Sequence, residues 1–183
     1  TGAVTISTDG VTLTTTNSQI TFSSTVNSEA SEANALNISV GSSEVEFDGV
    51  IGGGTNGSLG AITITGALDL DAALTSATSL SVSTTSNLGA NVTTSSTQTY
   101  TGAVTLSVDT TLTTTNSQIT FSSTVNSEAS EANALNISVG SSEVEFDGII
   151  GGGTNGSLGA ITITGALDLD AALTSATSLS VST

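Results

Sequence analysis

Residues 1 to 84 recur as residues 101 to 183 with four mismatches in 83 aligned positions, an identity of about 95%. The differences are Ile6 against Leu106, Thr8 against Val108, Val50 against Ile149, and Gly10-Val11 replaced by the single Thr110. Tandem domains this alike misfold into each other's partners, unless the copies stack continuously into one object. Residues 85 to 100 (TSNLGANVTTSSTQTY) separate the copies and share their alternating polar and apolar texture, so they read as repeat and not as linker. The unit is then 1–100, with 85–100 as its last coil, followed by an incomplete second unit, 101–183.

Strand periodicity runs through the unit. Val45-Glu46-Phe47-Asp48, Ile62-Thr63-Ile64-Thr65, Leu68-Asp69-Leu70-Asp71 and Leu80-Ser81-Val82 alternate at period two, the mark of half-buried strands. The Asp9-Gly10 indel marks a turn, because a one-residue slip inside a paired strand inverts every later side chain. Comparable strands start at Ile20, Val45, Ile62, Leu80, Thr97 and Ile119. Their steps are uneven but centre on roughly 20 residues, which suits one coil of a parallel β-helix. The expected fold is all-β, a β-solenoid of about five coils per unit and nine in all. At an inter-strand spacing of about 4.8 Å, five coils advance about 24 Å. Val45, Phe47, Ile62, Ile64, Leu68, Leu70 and Val82 are the expected interior. The alternative is a row of immunoglobulin-like β-sandwiches, whose domains are also about 100 residues long. It is disfavoured by the single Tyr and the lack of any compositional break.

Composition narrows function. The chain has 16 Asp and Glu and no Lys, Arg, His or Cys, for a formal net charge of −16. That excludes Ser-His-Asp triads, thiol nucleophiles, Schiff-base lysines and zinc fingers. Nucleic-acid binding is excluded for want of cations to displace counterions, and anionic membranes repel such a surface. No apolar run of about 18 residues offers a membrane span, and no basic segment leads an apolar one as in a signal peptide. Leu, Ile, Val and Phe together exceed the roughly 20% below which a chain struggles to form a core.

Thr97-Gln98-Thr99-Tyr100-Thr101-Gly102-Ala103-Val104-Thr105-Leu106, with Asp109-Thr110-Thr111-Leu112-Thr113 and Gln118-Ile119-Thr120-Phe121, resembles the β-strand repeats of giant bacterial surface proteins. These are filamentous haemagglutinin and related adhesins. The resemblance implies a right-handed parallel β-helix, export from the cell, and adhesive or fibre-forming service.

Several motifs invite chemistry. Gly52, Gly54 and Gly57, repeated as Gly151, Gly153 and Gly156, match the spacing of the dinucleotide fingerprint. That motif must open a helix, whereas Ala61–Thr65 reads as strand, so a glycine turn is expected. Two carboxylate sets are better candidates: Glu44, Glu46 and Asp48, and Asp69 with Asp71. Their twins are Glu143, Glu145 and Asp147, and Asp168 with Asp170. Period two points each set outward with side chains about 6 to 7 Å apart, so weak Ca²⁺ binding needs further ligands from a neighbouring coil or water. The plainer reading is a solvated acidic ladder that deters sideways sheet pairing. No other cofactor is expected. The Thr pairs Thr14/Thr16, Thr63/Thr65 and Thr97/Thr99 come on unequal steps, which favours Thr ladders over a flat ice-binding array. Asn37, Asn56, Asn91, Asn136 and Asn155 head glycosylation triplets.

These features point to a structural segment of an extracellular fibre, filament or adhesin stalk on a cell surface, without catalysis. Its expected partners are copies of itself or adjacent repeats of a longer chain, and a host or biofilm surface. The alternative is a calcium-stabilised adhesive module.

Overall fold

The computed structural model describes residues 2–54, 57–153 and 156–183. Among the described residues it contains seventeen strands and no helix. The strands pair in parallel throughout these residues, as expected of a solenoid and not of antiparallel sandwiches.

Strands stack in three columns, one for each side of the coil. The first runs Val4, Val26, Ile51, Leu74, Val92, Leu112, Ile137, Ile163, Val181. The second runs Leu13, Ile38, Ile64, Val82, Tyr100, Phe121, Phe146, Leu169. The third begins Phe22, Phe47, Leu70, Leu88, Leu106, Ser127. The chain visits them in rotation and completes about eight turns between Val4 and Val181. Turns vary in length because corners absorb insertions: the turn from Val26 to Ile51 is longer than the one from Leu74 to Val92.

The apolar side chains of these columns form one contiguous core along the axis up to the last turn, where Leu169 and Val181 are exposed. All seven residues expected in the interior are buried there. Aromatic rings stack at the inter-strand spacing: Phe22 on Phe47 and Phe121 on Phe146 at 4.8 Å between centroids, Tyr100 on Phe121 at 5.2 Å. Corners take the residues that tolerate them. The strand Leu59–Leu70 turns from the second side to the third at Gly66, where φ is +143° and a Cβ would collide with Val40. The corner at Asn17 is held by its side chain, whose Oδ1 accepts the Ser42 backbone N–H at 2.9 Å one turn above. Asp9-Gly10 is a turn as expected, and Thr110 takes Val11's place in the ladder, opposite Leu135 where Val11 faces Leu36.

Register differs from expectation at one step, with a large consequence. Val45 pairs with Leu68, not with Ile62, while Ile62 lies on Leu36 below and Leu80 above. The step from Ile20 to Val45 belongs to the third column, and those from Ile62 to Leu80 and on to Ile119 belong to the second. Summing them returns the chain to the same residue of the repeat but on another side. Fourteen strand segments separate Leu13 from its twin Leu112, so a unit occupies four and two-thirds turns and not five. Thr97 is also displaced by one residue: Gln98 occupies the ladder position between Leu80 and Ile119, so Gln98 and Tyr100 point inward while Thr97 is exposed.

Residues 85–100 complete one turn. Ser86–Leu88, Val92–Thr94 and Gln98–Tyr100 each pair with the turn below and the turn above. This turn carries buried polar groups. Gln98 Nε2 donates to Thr113 O at 3.0 Å, Thr94 Oγ1 at 3.3 Å and Val92 O at 3.4 Å, and its Oε1 accepts the Tyr100 hydroxyl at 3.1 Å. The network makes this turn chemically unlike the others.

Candidate functional site

The outward residues of the third side form a ladder beside the core column: Thr21, Glu46, Asp69, Asn87, Thr105, Asn126. Glu46 and Asp69 come from sequence sets that read as separate, yet they are ladder partners. Parallel pairing stacks like on like at each register position, which presses two carboxylates together. Asp71 lies at the adjacent corner, two residues beyond Asp69, and its backbone N–H bonds to Phe47 O at 3.0 Å. Glu46, Asp69 and Asp71 each place a carboxylate oxygen within 4.8 Å of the other two.

Neutral donors flank the acids above and below. Gln19 Nε2 donates to Glu46 Oε2 at 2.8 Å and Glu44 Oε1 at 3.2 Å, and Thr21 Oγ1 donates to Glu46 Oε2 at 2.8 Å. From the turn above, Asn87 Nδ2 donates to Asp69 Oδ1 at 3.0 Å. With no cationic side chain in the sequence, amide and hydroxyl dipoles are the side-chain groups left to oppose the carboxylates. Asp71 is exposed, yet partial desolvation at the corner raises its carboxyl pKa, with the charges of Asp69, Asp48 and Glu46 adding to the shift.

Of the candidate residues, the structure brings together Glu46, Asp69 and Asp71. Glu44 lies on the same ladder side but opposite Ala67, tied to the cluster through Gln19. Asp48 is exposed at the corner beneath Asp71. In the second copy Gln118 Nε2 reaches Glu143 Oε1 at 3.2 Å and Glu145 Oε2 at 2.9 Å, Thr120 Oγ1 reaches Glu145 Oε2 at 3.2 Å, and Glu145 faces Asp168. Asp168 and Asp170 are exposed at the last turns. Asp147 donates its backbone N–H to Phe121 O as Asp48 does to Phe22 O.

Sequence reading missed the donors Gln19, Thr21 and Asn87. Their signal was present as the unequal offsets that carry Thr21 to Glu46, Asp69 and Asn87, but those offsets depend on the register that period two leaves open.

Three carboxylates at this spacing offer hard oxygens to a divalent ion such as Ca²⁺, with water completing the shell. Among the described residues of the glycine motif, Gly52 and Gly54 sit at φ +66° and +81°, and the strand Leu59–Leu70, not a helix, follows. Thr55, Asn56, Thr154 and Asn155, among them the asparagines that head two glycosylation triplets, lie outside the described residues. Asn91 is bonded into the stack, its Oδ1 accepting the Thr111 N–H at 2.8 Å. The grooves on this surface are shallow, one of about 300 Å³ running between Glu44, Asn87, Thr105 and Glu128.

Fold and surface define the chain as a tandem-repeat parallel β-solenoid with an acidic, donor-flanked ladder. No family model, curated protein or solved structure matches it.

Proposed function

We propose that the chain is a structural segment of an extracellular fibre, filament or adhesin stalk on a cell surface, serving by length and stiffness and not by catalysis. The observation that carries this reading is continuity. The stack passes through the boundary between copies without a break, because the turn Ser86–Tyr100 pairs with the first copy below and the second above. Length can then grow by adding repeats without creating a hinge. A surface devoid of Lys and Arg offers no trypsin site, which suits exposure to proteases. Antibodies raised against the chain test the reading by immuno-electron microscopy of the source cells. Labelling along surface filaments is expected; labelling confined to the cell interior overturns it.

A second reading, a calcium-stabilised adhesive module, is favoured by the convergence of Glu46, Asp69 and Asp71. It requires millimolar Ca²⁺ to raise the melting temperature, and Asp69→Asn to abolish the rise. No response to Ca²⁺ removes it.

A further inference from the structure

The turn at the junction of the two copies differs from its neighbours in what it places inside. Its inward residues are Ser86, Leu88, Val92, Thr94, Gln98 and Tyr100, so half of them are Ser, Thr or Gln. The turn below sets Leu68, Leu70, Leu74, Ala77, Leu80 and Val82 against them, all apolar. The Ser86 hydroxyl is buried between Leu68 and Val104 and has no hydrogen-bond partner among the described residues. A turn with fewer apolar contacts and an unsatisfied buried hydroxyl is held less tightly than those around it. Its other polar groups are satisfied largely from within. Gln98 bonds to Val92 O, Thr94 Oγ1 and the Tyr100 hydroxyl, all in the same turn, and only its bond to Thr113 O crosses to another.

Residues 83–103 leave and return at one corner of the coil. Val82 ends the second side, Ser86 begins the third side on Leu68, and Val104 begins that same side one turn higher, on Ser86. Removing the turn leaves two apolar faces whose columns already correspond. Leu68–Leu70 then faces Val104–Leu106, Leu74 faces Leu112, and Leu80–Val82 faces Ile119–Phe121. We infer that the junction turn is an ejectable turn: it leaves the stack as a corner loop, and the two units close behind it on these matched faces. Closure buries again the apolar surface that ejection exposes, while Gln98 and Ser86 gain water as a partner. Leu88 and Tyr100 become accessible with both units still folded. The junction is therefore where the chain can be cut without the rod coming apart.

Cysteine pairs report the ejected state, because the chain has no Cys of its own. Ser81, Thr99 and Thr120 are consecutive rungs of one outward ladder. Ser81→Cys and Thr120→Cys therefore lie two rungs apart, about 9.6 Å, beyond the Cα separation of about 7 Å that a disulfide spans. Ejection makes them adjacent rungs, within reach. Asn37→Cys with Ser81→Cys is the control, since an ordinary turn carrying Thr63 separates them. Under mild oxidation the Ser81/Thr120 pair should form its disulfide about tenfold faster or more than the control, the effect of one unsatisfied buried group. Adding Ser86→Ala, Gln98→Leu and Tyr100→Phe should slow it by a similar factor. Equal rates in the two pairs, or no disulfide in either, overturn the inference, and an unchanged rate in the refilled variant overturns its assigned cause. Chymotrypsin under native conditions tests closure. Between Phe47 and Phe146 the first cuts should follow Leu88 or Tyr100, and the two fragments should elute together at the size of the intact chain. First cuts elsewhere in that span, or fragments that separate, overturn it.

Discussion

Phe22 and Phe121 are the same residue of the repeat, yet the structure gives them different neighbours, and truncating each to alanine exposes the difference. Phe121 is fully enclosed and is the middle ring of a stack, with Tyr100 below at 5.2 Å and Phe146 above at 4.8 Å, both nearly coplanar with it. Phe22 stacks on one side only, against Phe47 at 4.8 Å. Removing a buried Phe side chain costs about 3 to 5 kcal/mol. Each lost ring pair is worth about 0.5 to 1.5 kcal/mol beyond its buried area. Phe121→Ala should therefore sit at or above the top of that range, and Phe22→Ala below it by about one ring pair. The cleanest measure is a double-mutant cycle between Tyr100→Leu and Phe121→Ala, read from urea unfolding by circular dichroism. Its coupling energy should be about 0.5 to 1.5 kcal/mol, the value of the stacked pair. The pair exists only because the second copy is turned by a third, which lays Phe121 over the junction residue Tyr100. A coupling indistinguishable from zero, with equal losses for Phe22→Ala and Phe121→Ala, would refute the reasoning.

Other predictions follow from single groups. Tyr100→Phe leaves the buried Gln98 Oε1 without its donor and should cost about 1 to 3 kcal/mol by urea unfolding, whereas adding Gln98→Leu should recover part of the loss. Burial pushes the Tyr100 phenol far above its ordinary value, so the phenolate absorbance band should rise only as β-structure is lost. Because the unfolded phenol ionises near pH 10, stability should decline above that pH. Asp71 has a raised folded pKa, so its charge opposes folding above that value and the penalty is relieved as pH falls. Asp71→Asn should raise the melting temperature at pH 7 and leave it unchanged below pH about 3.5, and an equal rise at both would contradict the assigned cause. Gly66→Ala combines a Cβ collision with Val40 and a left-handed backbone, so its loss in thermal unfolding should exceed that of the exposed Thr63→Ala.

Much of the architecture was legible because inward and outward positions follow from period two alone. Val45, Phe47, Leu68 and Leu70 are buried, and Glu46 and Asp69 face outward, whichever strands pair. The turn at Asp9-Gly10 was legible from the indel. Which turn lies on which was not. Ile62-Thr63-Ile64 and Leu68-Asp69-Leu70 have the same texture and the same parity within one strand, so either can receive Val45. Only the bend at Gly66 divides the strand between two sides. That ambiguity hid the remainder of two-thirds of a turn and kept Glu46 apart from Asp69. The junction misled in another way: an inward Gln beside an inward Tyr breaks the apolar pattern, and what makes it tolerable, the bonds to Thr94, Val92 and Thr113, comes from the adjoining strand and the turn above.

Cryo-electron microscopy of the native material, resolving the axial advance and rotation per repeat, tests the central claim most directly. The expected result is an advance of about 22 Å with a rotation of one third of a turn, over stacked strands about 4.8 Å apart. An advance of about 24 Å without rotation would contradict the register, and beads spaced about 40 Å or more would contradict the solenoid itself.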